Sequence, residues 1–92
     1  MAMGKYEVLR AIGNAGVVAV IRAKNSREGM DLARAVQDGG VPAVEVTMTV
    51  PGAVRILETM ASEGNAILGA GTVLDPETAR ICILAGAQYI VS

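Results

Sequence analysis

Strand-like runs open at residues 17, 43, 66 and 87, at intervals of 26, 23 and 21 residues, with helix signals between them. Each interval holds one strand, one helix and their two turns, so the chain is restricted to β–α–β units with parallel strands and right-handed crossovers. Val17-Val-Ala-Val-Ile21 is a continuous apolar run of the kind a sheet covered on both faces needs. Asn25-Ser26 supplies cap chemistry, and Glu28 can complete a capping box. Met30, Leu32, Ala33 and Val36 follow at helical spacing, and Gly39-Gly40 ends the helix.

The unit then repeats. Ala43–Met48 reads as the second strand, and Pro51 sits where a first helical turn accepts proline. Val54, Leu57, Met60 and Ala61 are expected inside, with Gly64 as the stop. Ala66–Ala70 reads as the third strand. Asp75-Pro76 is an N-cap with proline at the first helical position, followed by an apolar stripe of Ile81, Leu84 and Ala85 that Gly86 closes. Gln88–Ser92 opens a fourth strand. Ahead of the repeats, Tyr6–Ile12 reads as a short amphipathic helix.

The fold class is therefore α/β, one domain over residues 1–92, with about four parallel strands and three helices after a short N-terminal helix. Two architectures fit, a doubly wound sheet or part of a (β/α)8 barrel. Four strands of a barrel have two unpaired edges and an open inner face, so such a chain is expected to self-associate, flatten or pack poorly. With no Phe or Trp and two tyrosines, the core must be aliphatic.

Eight basic and nine acidic residues, spread along the chain, leave no basic patch for a nucleic acid or a membrane surface. The absence of histidine, with Cys82 as the single cysteine, argues against a metal site and suits a reducing cytoplasm. The longest apolar runs fall well short of the ~18 residues of a membrane span.

Chemistry in β/α folds gathers at the carboxyl ends of the strands. There the chain places Arg22, Glu45 with Thr47, Thr72 and Ser92. Glu45 interrupts an apolar strand, and a carboxylate is costly to bury unpaired, so it is either held by a fixed partner such as Arg22 or used in proton transfer. Period-two alternation puts Glu45 and Thr47 on one face, Val44 and Val46 on the other, and Arg22 on the face of Val18 and Val20. Thr47 and Thr72 have a plainer reading as β-formers. Gly69-Ala70-Gly71-Thr72 lacks the third glycine of a dinucleotide fingerprint and the lysine of a P-loop. It reads instead as a strand end where small residues let a ligand approach the backbone. Cys82 lies in an apolar helical stretch and reads as core. Neither Lys5 nor Lys24 has the apolar surroundings of a Schiff-base lysine.

Taken together, Gly39-Gly40-Val41, Glu45-Val46-Thr47, Gly69-Ala70-Gly71-Thr72-Val73 and Ala85-Gly86-Ala87-Gln88-Tyr89-Ile90-Val91-Ser92 resemble the 2-keto-3-deoxy-6-phosphogluconate (KDPG)/4-hydroxy-2-oxoglutarate (KHG) aldolases. The resemblance runs from about residue 10 onward. It implies the amino-terminal half of a (β/α)8 barrel that cleaves a 2-keto-4-hydroxy acid to pyruvate and an aldehyde through a Schiff base, with no metal or other cofactor. It implies Glu45 as general acid/base, and Thr72 with the backbone beside it, including Gly71, as holders of the pyruvoyl carboxylate. Many members carry an arginine where this chain has Thr49, so Thr49 joins Arg22 and Thr47 as candidate substrate contacts, with Arg22 as the substitute cation. The family's Schiff-base lysine lies on the sixth strand, beyond Ser92.

Three functions follow. The chain is part of an aldolase whose keto-acid chemistry needs the complete barrel, trimeric in the family; or a non-enzymatic half-barrel scaffold that pairs with itself; or a small doubly wound domain that binds an organic acid.

Overall fold

A computed structural model describes residues 4–92; residues 1–3 of the expected domain lie outside them. The elements alternate: α1 (Lys5–Ala15), β1 (Ala19–Ile21), α2 (Ser26–Asp38), β2 (Ala43–Thr47), α3 (Ala53–Glu63), β3 (Ile67–Gly71), α4 (Pro76–Ala85) and β4 (Tyr89–Ile90). The four strands form one parallel sheet in the order β1-β2-β3-β4. A doubly wound sheet reverses direction and places helices on both faces. Here every neighbour in the sheet is the next strand in sequence, and α2, α3 and α4 share one core with one sheet face. That is the progression of a barrel wall.

Period-two alternation assigns the faces. Ile21, Val44, Val46, Leu68 and Ala70 join Ala33 of α2, Ile56, Leu57 and Met60 of α3, and Cys82 of α4 in the core. Cys82 is fully buried there, its thiol 3.4 Å from the Met48 sulfur, and burial pushes that thiol up from its ordinary pKa. The opposite face carries Val20, Glu45, Thr47, Gly69, Gly71 and Tyr89. α1 stands apart from the main core and contacts β3, with Val8 as its buried residue.

Local chemistry explains most boundaries. Asn25 caps α2 by accepting from the Glu28 amide at 2.8 Å, and among the described residues the Glu28 side chain returns no bond to complete the box. Asp75 caps α4 through the Thr78 amide (2.7 Å) and hydroxyl (2.9 Å), with Pro76 opening the helix. Those bonds hold the Asp75 carboxyl below its usual pKa. Gly40, rather than Gly39, takes the left-handed conformation after α2.

Four expectations are corrected. Pro51 lies in a turn ahead of α3, because Gly52 at φ 73° forms the N-cap and the helix begins at Ala53. That offset buries Ile56 and leaves Val54 half-buried. The first strand is three residues long, since the edge strand is defined only where β2 pairs with it, and Val17 and Val20 remain exposed. Leu32 is likewise exposed, with Ala33 turned inward. The largest change is on α4: Ile81 and Leu84, with Ile83 between them, face solvent, and Leu84 is 71% exposed. Cys82, with Ala79 and Ala85, meets the sheet in their place.

Candidate active site

Glu45 is the one buried charged residue among those described, at 9% exposure. Its strand is buried from end to end, and its side chain rises from the face opposite the one that packs on α2, α3 and α4. What admits it is β3. Gly69 pairs with Glu45, and Gly71 lies one pleat further on. A Cβ added at Gly71 would land on Glu45 Oε2 and stand 3.0 Å from Cδ and 3.3 Å from Cγ. The carboxylate thus occupies the volume that any other residue at position 71 would fill.

Among the described residues, Glu45 forms no ion pair and accepts no hydrogen bond from a side chain. The expected structural alternative, pairing with Arg22, is not formed: Arg22 is exposed, and the ion pair present is Arg34–Glu63, which ties α2 to α3. A buried carboxylate without a fixed partner is poorly explained by architecture.

Thr47 follows Glu45 on the same face and is 1% exposed. Its hydroxyl reaches the Ile21 carbonyl on β1 at 3.4 Å and the Thr49 hydroxyl at 2.6 Å. A hydroxyl has one proton, so if Thr47 donates to Ile21, Thr49 donates to Thr47. Thr47 is then spent on joining β2 to β1, and the exposed Thr49 presents the oxygen with free acceptor capacity. Thr72 stands directly after β3 at φ 57°. A β-branched residue in the left-handed region is strained by ~1–3 kcal/mol, and such strain collects at ligand sites. Arg22, Glu45 with Thr47, and Thr72 therefore stand at the carboxyl ends of three adjacent strands, while Ser92 is exposed beyond β4.

Tyr89 joins the site only through the fold, since no feature of its own segment distinguishes it. Its Cα pairs with Gly69, and a Cβ added at Gly69 would fall within the phenol ring, against Cζ, Cε1 and Cε2. The hydroxyl is buried without a hydrogen-bond partner. The usable signal was a glycine on β3 and an aromatic on β4 in the same row, which requires the register between strands.

Among the described residues, no group of three His, Cys, Asp or Glu side chains could hold a metal ion, and no helix is long and apolar enough to cross a membrane. A shallow cleft lined by Gln37, Asp38, Gly40, Pro42 and Asn65 lies at the opposite, amino end of the strands.

A family model described as KDPG and KHG aldolase matches residues 8–92. A KHG/KDPG aldolase of Escherichia coli K12 is 40% identical over 77 residues, covering 83% of this chain and 36% of the relative. A 2-dehydro-3-deoxy-phosphogluconate aldolase of Treponema pallidum is 34% identical over 86 residues, 92% of this chain and 41% of the relative. The chain thus spans about two-fifths of the length of these curated relatives. Among solved structures, a 4-hydroxy-2-oxoglutarate/2-dehydro-3-deoxyphosphogluconate aldolase from TTHB1 superposes with a TM-score of 0.76 at 26% identity, covering 99% of this chain and 44% of that one. The 2-keto-3-deoxy-6-phospho-gluconate aldolase of Zymomonas mobilis gives 0.70 at 29% identity, over 82% of this chain and 37% of that one. The four β/α units match the amino-terminal half of a TIM barrel.

Proposed function

The chain belongs to the KDPG and KHG aldolase family, and from that membership we propose that it is the amino-terminal part of a Schiff-base aldolase acting on 2-keto-3-deoxy-6-phosphogluconate or 4-hydroxy-2-oxoglutarate, with Glu45 as the general acid/base. The observation that carries the proposal is the Glu45 carboxylate, buried on the sheet face turned away from α2, α3 and α4, unpaired among the described residues, and seated over Gly71. The reaction needs such a group twice. As an amine adds to the C2 carbonyl, the carbinolamine hydroxyl must gain a proton to leave as water. As the C3–C4 bond breaks, the C4 hydroxyl must lose a proton while the bonding electrons pass into the imine to give an enamine. One carboxyl group can give the first proton and take the second.

The amine has to come from elsewhere. Lys5 on α1 and Lys24 after β1 are both exposed, without the apolar surroundings of a Schiff-base lysine. We assign the Schiff-base lysine to a strand of the barrel beyond Ser92, so this chain by itself does not turn over. Thr49, Thr72 with the Gly71 backbone, and Arg22 are the proposed contacts for the keto-acid carboxylate. The reaction uses no metal or other cofactor, and the enzyme works in the cytoplasm.

Borohydride reduction in the presence of pyruvate tests the division of labour. No covalent pyruvate is expected on this chain alone, and trapping is expected once a carboxyl-terminal half is added. Trapping on this chain alone would overturn the assignment of the lysine. In an eight-stranded barrel that carries this segment, Glu45→Gln is expected to lower turnover by ~10²–10⁴.

A second reading, a self-associating half-barrel scaffold, draws support from the unpaired outer edges of β1 and β4 and from exposed Ile81, Ile83 and Leu84. It predicts stable oligomers of this chain that gain no lyase activity when the second half is supplied.

A further inference from the structure

Tyr89 and Glu45 approach the same strip of β3 from opposite sides. Both are in register with Gly69, Tyr89 from β4 and Glu45 from β2. The phenol covers Gly69 and the carboxylate covers Gly71, so two successive positions of this face lack side chains beneath two polar groups. A tyrosine side chain is longer than the ~4.8 Å between neighbouring strands. With its Cζ over Gly69, the Tyr89 ring spans β3 and carries its hydroxyl toward β2, the strand that holds Glu45.

That hydroxyl is a buried donor with no partner. Buried hydroxyls are rarely left so, because the lost hydration is not replaced. The acceptors on this face are few. The Thr47 hydroxyl is engaged with Ile21 and Thr49, and the strand carbonyls are committed to the parallel ladder. The exposed Thr49 hydroxyl can still accept, but among the described residues the Glu45 carboxylate is the buried side-chain acceptor on this face that accepts no hydrogen bond.

We propose that Tyr89 is a positioning residue for Glu45, its hydroxyl closing onto the carboxylate by a small rotation over the glycine strip and fixing the direction in which Glu45 meets the substrate. The inference rests on the reading of Glu45 as the acid/base. It adds a reason for two glycines in one row: Gly69 gives the ring its path and Gly71 gives the carboxylate its seat. The electrostatics agree. Burial first, and then the negative charge of Glu45, push the Tyr89 phenol up to about 12, so it keeps its proton and remains a donor at every pH where an aldolase works.

The test is a double-mutant cycle in an eight-stranded barrel carrying this segment. Tyr89→Phe keeps the ring over Gly69 and removes only the hydroxyl. It is expected to lower kcat about tenfold with KM nearly unchanged. Because Tyr89 acts only through Glu45, Tyr89→Phe in the Glu45→Gln background is expected to cost nothing further. Losses that multiply in the double variant would overturn the inference, since Tyr89 would then act independently of Glu45. An unchanged kcat in Tyr89→Phe would overturn it as well. Near-normal turnover in Glu45→Gln would instead remove the acid/base reading itself, a result distinct from either. Thermal melts provide a second readout: Tyr89→Phe lowers Tm if the hydroxyl is bonded to Glu45, and a raised Tm would mark it as an orphan and refute the contact.

Discussion

Replacing Gly71 by alanine adds one methyl group at the point where the Glu45 carboxylate rests. Gly71 is not among the glycines with positive φ, so the backbone accepts alanine without strain. The collision is with the side chain alone. The new Cβ would overlap Oε2 and stand 3.0 Å from Cδ, against ~3.5–4.0 Å for a relaxed carbon pair. The carboxylate must swing away by ~1 Å, and a displacement of that size in a catalytic group costs ~10²-fold in rate, or ~2.7 kcal/mol of barrier. The group that has to move is the end of a flexible side chain, so folding stability should change by less than ~1 kcal/mol. Turnover in the complete barrel, read as released pyruvate, should therefore fall about a hundredfold while the melting curve barely moves. Gly13→Ala is the matched control: its Cβ would meet nothing within 4 Å on α1 and should leave kcat unchanged. A well-folded Gly71→Ala barrel with kcat within about threefold of the parent would refute the idea that Gly71 seats the catalytic carboxylate.

The Tyr89 phenol, at about 12 when folded against a reference of 10.0, binds its proton more tightly in the native state. Its contribution is complete below pH ~10 and is lost as pH rises toward ~12, so chemical unfolding should grow easier across that window; Glu45→Gln should bring the phenol's absorbance titration back toward 10, and no movement would place the two groups too far apart to interact. Thr72→Asn, which tolerates left-handed backbone better, should relieve ~1 kcal/mol and raise Tm by a few degrees while raising KM for the keto acid; a lowered Tm would show that Thr72 is not strained. Exposed Ile81, Ile83 and Leu84 on α4 predict self-association of this chain. Ile81→Glu with Leu84→Glu should shift its sedimentation toward monomer, and a monodisperse monomeric parent would contradict that reading.

The repeat was legible because it is local. Strand runs, the Asn25 and Asp75 caps and the Gly64 and Gly86 stops act over one turn of chain, and all appear near their expected positions. The phase of Glu45 against Val44 and Val46 was also local, since alternation within one strand needs no partner. The buried face of α4 differs from the expected stripe for the complementary reason. Its sequence is apolar around much of the helix, so periodicity could not choose between Cys82 and the Ile81–Leu84 stripe, and contact with Met48 and the sheet made the choice.

The sequence by itself determined a parallel β/α architecture with a carboxylate on one face of its second strand, because spacing, caps and pleat parity are properties of neighbouring residues. Strand spacing left a doubly wound sheet and a barrel wall open, the family motifs in the sequence pointed to the barrel, and the sheet order agrees. Only the tertiary structure brought Gly69, Gly71 and Tyr89 around Glu45 and left Arg22 unpaired with it. Those outcomes depend on the register between strands distant in sequence, which follows from how the helices pack on the sheet and is written in no single segment of the chain.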